Sequence, residues 1–385
     1  MSDTINQDKL EVTILYPCLN EEDAIGECVR EALAVFAQEG LSGEVLVVDN
    51  NSTDRSAEIA RAEGARVVEE RRPGYGSAYL KGFEEARGTY IIMLDADGTY
   101  PVEMSGEFVS LMRDEGVEMV IGNRFGGKME DNAMPWMNQH IGNPILSTMT
   151  RILYRVDLRD MHCGMRGVRR AVIPRLQLQT PGMEFATEMI VKALDQGVRY
   201  REVVIPYRPR VGDSKLQPFR DAWRHIEYML VFAPSASFLW PGFVLTSIGF
   251  IVQVILLAGP RHIFFRTWNV HTNLLGVVTS LTGNTLIVLG LISAALARAV
   301  GMDFIKQPLA RFFSSVRHRS LRLFGVALLT GGLLMWLAVI ARWLFSGGES
   351  LSAVAFLSFA TSVLVVGAEL LGCAFLLNVI RLQRR

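Results

Sequence analysis

Four apolar stretches constrain this chain more than any other feature: about 238–258, 274–298, 323–345 and 353–380. A helix needs roughly 20 apolar residues to cross about 30 Å of hydrocarbon. Each stretch reaches that length, so residues 237–385 are predicted to form an all-α transmembrane domain of four helices. The Gly and Ser residues in FLWPGFVLTSIGFIVQVILLA and LLGVVTSLTGNTLIVLGLISAALA suit close helix packing in lipid. These helices are an expected anchor and a candidate homo-oligomer interface. Glu369 lies in the middle of the fourth stretch, where an ionised group costs about 3 kcal/mol or more unless paired. It marks either an ion or substrate path or a polar contact to a neighbour such as Asn284.

Loop charges orient the helices. The 299–322 link carries Lys306, Arg311, Arg317, Arg319 and Arg322 against Asp303, and the C-terminus carries Arg381, Arg384 and Arg385. The 259–273 link has only Arg261 and Arg266, and the 346–352 link only Glu349. The positive-inside rule then predicts a multi-pass protein of the cell (inner) membrane, with both termini and the N-terminal domain cytoplasmic. The opening MSDTINQDKLEV is polar and acidic and shows no signal peptide.

Residues 1–235 mix charged and apolar residues as a soluble domain does. Short apolar runs at 12–16, 44–48, 66–69, 90–94 and 118–121 read as strands; segments 21–38, 54–63, 76–86 and 101–115 between them read as helices. Alternating β and α at this spacing predicts a parallel sheet with helices on both faces. Lys+Arg and Asp+Glu are equal at 39 each, which gives no basic excess for a nucleic-acid partner. The four cysteines, Cys18, Cys28, Cys163 and Cys373, form no C-x-x-C pair and read as reduced thiols.

Ligands of such sheets bind at the carboxyl ends of the strands. Three predicted strand ends carry polar groups: Pro17-Cys-Leu-Asn20-Glu21, Asp49-Asn50-Asn51 and Asp95-Ala-Asp97. Asp95 and Asp97, two apart, face the same way in an extended chain. Two adjacent carboxylates repel unless a cation or donor sits between them. Either the pair holds Mg²⁺ or Mn²⁺ together with substrate phosphates, or one acid caps the next helix and the other is solvated.

Taken together, these segments resemble the inverting family 2 glycosyltransferases of GT-A fold, over about residues 11–225. The P-x-x-N-E motif is Pro17 to Glu21, D-D/N-x-S-x-D is Asp49 to Asp54, and D-x-D is Asp95 to Asp97. Four further segments resemble the dolichyl- or polyprenyl-phosphate hexose synthases: Arg72-Pro-Gly74-Tyr-Gly76-Ser77-Ala78, Gly122-Asn-Arg124-Phe, His162-Cys-Gly164-Met-Arg166 and Arg210-Val-Gly-Asp-Ser214-Lys215-Leu216. The resemblance implies a Rossmann-like mixed α/β sheet ahead of the membrane helices. It places the catalytic domain at 1–216, an interfacial amphipathic helix at 217–236 and the membrane domain at 237–385. Two departures stand out. Thr99 takes a position where relatives often carry a metal-reaching Gln, and the 134–147 segment has no Lys or Arg, only His140.

The resemblance further implies transfer of a hexose from a nucleotide-diphosphate sugar, UDP-glucose first and GDP-mannose second, to polyprenyl phosphate at the membrane. Asp97, with Asp95, would hold the divalent ion. Pro17, Asn20, Glu21, Asp49, Asn51, Asp95, Gly74 and Gly76 would bind the donor. Arg124, Arg166, Arg210, Ser214 and Lys215 would receive the acceptor phosphate, with Arg124 and Lys215 counted as catalytic beside Asp97. Segments 218–235 and 141–156 read as helices lying at the bilayer surface. One rival is a processive membrane polysaccharide synthase, whose Q-x-x-R-W is met only as Gln217-Pro-Phe-Arg220-Asp221. Another is a transporter with a nucleotide-sensing domain, for which only Gln253, Asn284 and Glu369 offer polar groups in the spans.

Overall fold

The computed structural model describes residues 10–131, 133–154, 156–212, 218–263, 265–302, 307–314, 318–345 and 353–382. Two compact units divide the chain at residues 229 and 230.

The first unit runs β1 (Val12–Cys18), α1 (Ile25–Glu39), β2 (Gly43–Asp49), α2 (Ser56–Ala62), β3 (Arg66–Glu69), α3 (Tyr75–Glu85), β4 (Tyr90–Met93), α4 (Ser105–Asp114) and β5 (Met119–Asn123). It continues with α5 (Asn143–Tyr154), β6 (Arg166–Arg169), α6 (Ile173–Leu176), α7 (Phe185–Asp195), β7 (Tyr200–Val204) and most of α8 (Pro218–Phe232), which runs across the boundary. The strands form one seven-stranded sheet in the order β3-β2-β1-β4-β6-β5-β7.

β1 is its axis. Its apolar residues Val12, Ile14 and Leu15 are fully buried, as a strand covered on both faces requires. It pairs in parallel with β2 on one side (Val12 opposite Gly43) and β4 on the other (Val12 opposite Tyr90). The strand order therefore reverses direction at β1, which places the expected ligand crevice of such a sheet beyond its carboxyl end. α1 packs through Ile25, Cys28, Val29, Ala32, Val35 and Phe36, spaced three and four apart, and stops at Gly40 in the left-handed region (φ 63°).

The sheet is mixed, as the family resemblance implies, and not all-parallel as the β and α spacing alone suggests. β6 is antiparallel to both β4 and β5. Helix 21–38 begins only at Ile25, because Asn20 takes a left-handed φ of 53° and holds the chain in a loop. The expected helix at 101–115 opens with a separate tight turn at Val102–Met104.

The second unit holds α9 (Trp240–Leu256), the short hairpin β8 (Arg261–Ile263) and β9 (Arg266–Trp268), α10 (Val270–Ala299), α11 (Pro308–Ser314), α12 (His318–Phe345) and α13 (Val354–Leu382). Four helical segments are long and apolar enough to cross a membrane: Ser235–Leu256, Val270–Ala299, Arg319–Phe345 and Val354–Ile380. Small residues bring their backbones together. A side chain at Gly249 would begin 2.3 Å from the Ser280 nitrogen on α10, and one at Gly367 would begin 2.4 Å from the Leu329 nitrogen on α12. Glu369 meets the neighbour expected of it: Asn284 Nδ2 donates to its carboxylate at 2.6 Å and Thr285 Oγ1 at 3.1 Å. Gln253 links α9 to α10 and α13 through Ser280 and Ser362.

Candidate active site

The crevice beyond β1 and β4 gathers the acids. Asp97 is only 5 % exposed, and its carboxylate has a different partner on each oxygen. Oδ1 accepts from the main-chain nitrogen of Thr99 (3.1 Å) and from Thr99 Oγ1 (2.7 Å). Oδ2 accepts from Arg210 Nη1 at 2.9 Å, while Arg210 Nη2 donates to Glu21 at the end of β1. Arg210 thus bridges acids from two strand ends. Its Nε is buried and makes no hydrogen bond among the described residues.

Asp95 accepts from the Tyr75 hydroxyl at 3.0 Å. Gly164 leaves the room it occupies: a Cβ there would begin 2.7 Å from Asp95 Oδ2. Burial, and then the charge of Asp97, push the Asp95 carboxyl up to about 7. An acid in that state gains by receiving a cation. Hard carboxylate oxygens from two residues, completed by substrate phosphates, suit Mg²⁺ or Mn²⁺. The guanidinium on Asp97 shows that the position already takes positive charge. Among the described residues no group of three or more His, Cys, Asp or Glu is placed to hold a metal ion.

The rim of the crevice is built by loops pinned to each other. Asn50, buried at the end of β2, donates to the carbonyls of Glu70 (2.8 Å) and Arg72 (2.7 Å) and accepts from Gly74 N (2.7 Å). Asn51 donates to the Arg71 carbonyl (3.1 Å). Asn20 Oδ1 accepts from Thr53 N (2.7 Å), tying the β1 loop to the β2 loop. Asp49 Oδ1 caps its own turn by accepting from Ser52 N (3.2 Å).

A family model described as Glycosyl transferase family 2 matches residues 13–176. The low-salt glycan biosynthesis hexosyltransferase Agl6 of Haloferax volcanii is 34 % identical over 376 residues, spanning 95 % of this chain and 88 % of that protein. The chain belongs to glycosyl transferase family 2. A dolichyl-phosphate hexose transferase of the same organism is 32 % identical over 209 residues, which cover 54 % of this chain and 88 % of the relative. The glucosyl-3-phosphoglycerate synthase of Mycobacterium tuberculosis, solved with Mn²⁺, UDP and glucosyl-3-phosphoglycerate, is 20 % identical with a TM-score of 0.45, over 57 % of this chain and 79 % of that one.

The arginines of this glycosyltransferase have separate fates. Arg124 is 5 % exposed and grips Asp160 with two nitrogens, Nε to Oδ2 at 2.7 Å and Nη2 to Oδ1 at 2.8 Å, while lying 5.2 Å from the Tyr207 ring. Its charge is already balanced by a buried partner. Arg166 is held among main-chain carbonyls. It is 2 % exposed, and its nitrogens donate to the carbonyls of Cys163, Ala186 and Met161, each at 2.9 Å. These bonds hold it to the framework through one N–H on each nitrogen, and leave one further N–H on each of Nη1 and Nη2. Ser214 and Lys215 lie outside the described residues.

Motif reading missed Tyr75, Thr99 as the group that orients Asp97, and Asp160 beneath Arg124. Tyr75 was in view between Gly74 and Gly76. Nothing about Asp160 in the chain announces that it will meet a residue 36 positions away.

Proposed function

We propose that this glycosyltransferase moves a hexose, with inversion at the anomeric carbon, from a nucleotide-diphosphate sugar to polyprenyl phosphate at the cytoplasmic membrane surface. UDP-glucose is the first choice of donor and GDP-mannose the second. The observation that carries the reading is the Asp95, Asp97, Glu21 and Arg210 constellation at two strand ends, in a chain that also bears four membrane-length helices. The name of the Haloferax dolichyl-phosphate hexose transferase supports a lipid phosphate as acceptor.

A leaving nucleoside diphosphate gains negative charge as the C1–O bond breaks. Asp97 and Asp95 would hold Mg²⁺ or Mn²⁺, which when bound offsets that charge. Glu21 and Pro17 would shape the base pocket, Asp49 and Asp95 would hold the nucleoside and ribose, and Gly74 and Gly76 would let the backbone approach the donor closely. The acceptor phosphate carries roughly −1.5 to −2 charge at neutral pH and needs little activation by a base. It needs cations to approach an anionic donor. Arg210 fits that task, because a guanidinium released from Asp97 presents a planar fork to phosphate. Lys215 and Ser214 follow it in the sequence and complete the proposed acceptor side.

Two surfaces in the first unit support work at a bilayer. Ile145 and Ile152 are 51 % and 68 % exposed on the side of α5 opposite its buried Leu146, Ser147, Thr150 and Tyr154, and Trp136, Met137 and Ile141 just before it are 43–66 % exposed. On α8, Trp223 is 64 % exposed while His225, Tyr228 and Met229 are buried. These faces match monotopic helices. The basic 299–322 link supports the cytoplasmic orientation.

The test is transfer from a panel of UDP- and GDP-hexoses to a short polyprenyl phosphate by the purified full chain. Asp97→Ala should lose about a hundred- to a thousandfold in rate, the size of effect seen when a key transition-state charge stabiliser is removed. Transfer that persists in Asp97→Ala, or no transfer to any lipid phosphate, would sink the reading.

A further inference from the structure

A buried ion pair behind the donor side is not explained by the reaction as described. Glu188 and Lys192, one turn apart on α7, are 2 % and 0 % exposed and 2.8 Å apart. A buried ion pair is an inefficient way to stabilise a fold, since apolar residues of similar volume are often as good or better. What apolar residues cannot do is hold a loop by its main chain. The Glu188 carboxylate accepts from Gln179 N (3.0 and 3.1 Å), Thr180 N (2.9 Å) and Thr180 Oγ1 (2.6 Å). Lys192 Nζ donates to the Gln177 carbonyl at 2.6 Å, and Gln177 itself has a left-handed φ of 48°. A non-glycine residue in that region is uncommon and has to be held there by its surroundings.

The segment so fixed is the wall against which the glycine-rich loop is moulded. A Cβ at Gly76 would begin 2.1 Å from the Thr180 carbonyl oxygen, and one at Gly74 2.2 Å from that of Pro181. The Pro181 carbonyl also accepts from Ser77 N at 3.1 Å. On its other side the loop is held by Asn50, through Gly74 N. Between the two holders stands Tyr75, whose hydroxyl reaches Asp95.

We infer that Glu188, with Lys192 and Thr180, is a positioning residue of the donor pocket: it clamps residues 177–181 so that the Gly74–Ser77 loop, and through Tyr75 the Asp95 carboxylate, are set before donor arrives. The inference rests on the reading of the glycine-rich loop as donor-binding. The clamp touches no substrate. Its loss should therefore weaken donor binding while leaving the acceptor alone.

The experiment uses the full chain in detergent, with UDP-glucose, or GDP-mannose if that is the active donor, and a short polyprenyl phosphate. Glu188→Gln keeps shape and removes charge. The double variant Glu188→Leu with Lys192→Leu removes the clamp without stranding a buried charge, and Thr180→Val removes one donor only. In each folded variant the KM for donor should rise, about tenfold for the first two and about threefold for Thr180→Val. Calorimetric affinity for the matching nucleoside diphosphate should fall in parallel, and the KM for acceptor should stay within about twofold. Gly76→Ala, which pushes on the same loop directly, should reproduce the donor defect. If Gly76→Ala weakens nucleotide binding but the folded clamp variants do not, the clamp is overturned and the donor site stands. If Gly76→Ala leaves nucleotide binding unchanged, the donor-site reading falls and the inference with it. Donor and acceptor KM rising together in the clamp variants would also overturn it.

Discussion

Two buried side chains show how the neighbours of the acids carry their own electrostatic stakes. Asp160 is fully buried and holds Arg124 through two side-chain nitrogens and its main-chain nitrogen. Breaking such a pair leaves an uncompensated buried charge, at a cost of about 3–5 kcal/mol. Asp160→Asn should therefore lower the thermal midpoint of the detergent-purified chain by several degrees, and Asp160→Asn combined with Arg124→Met should recover much of the loss. No recovery in the double variant would mean that Asp160 matters for something other than Arg124. His162 gives the pH counterpart. Burial first, and then His225, Arg166 and Arg124, hold its pKa well below the usual histidine value. Its ring lies 4.5 Å from that of His225, and the two share Thr187 Oγ1. The unfolded chain takes up a proton near pH 6.5 and the folded chain resists it. Stability present above pH 6.5 should then be lost as pH falls, by at most about 1.4 kcal/mol per pH unit from this group. Unfolding midpoints between pH 7 and 5 should drop less steeply in His162→Gln; equal slopes would discount the residue.

Elements differ in how plainly their residues announce them. The first five strands and the four long helices were legible because a run of apolar residues of the right length is the signal itself. β6 was not: Arg166-Gly-Val-Arg169 is four residues with two arginines, and its place between β4 and β5 comes from long-range pairing, such as Ile92 opposite Gly167. α7 misleads in another way. A Glu and a Lys four apart ordinarily mark a solvent-facing stripe, yet here both are buried because the 177–180 main chain supplies their partners. The site shows the same division. Asp95, Asp97, Glu21 and Arg210 could be named from motifs, whereas the Arg166 motif gave no sign that its guanidinium would donate to three main-chain carbonyls. In the second unit the legible glycines carry a prediction. Gly249 leaves no space for a side chain against Gly276 and Ser280, and overpacking of this kind costs about 1–3 kcal/mol. Gly249→Val should lower the thermal midpoint in detergent, while Gly331→Val, at a glycine with nothing within 4 Å of its Cβ position, should not.

The whole molecule combines a sheet that gathers charge with helices that belong in lipid, and a formal net charge of zero conceals both. A water-exposed apolar row on the catalytic unit would ordinarily be a liability, since soluble proteins avoid contiguous apolar patches. On the function proposed above, the headgroup and acyl boundary of the bilayer would cover that row. Ile145 and Ile152 are 51 % and 68 % exposed, so covering each would contribute about 1–2 kcal/mol at most. Replacing both by Glu removes that gain and adds charge where lipid is expected, without touching the buried Leu146, Thr150 and Tyr154 that seat α5. Transfer to a long-chain polyprenyl phosphate embedded in vesicles should then fall at least about tenfold. Transfer to a short, water-dispersed polyprenyl phosphate should be nearly unchanged, because the acids, Arg210 and the glycine-rich loop are all intact. Equal losses with both acceptors would mean that this face supports the fold or binds the acceptor directly. Unchanged transfer with both would remove the bilayer from the account of α5 and leave α8 and the four helices as the proposed membrane attachment.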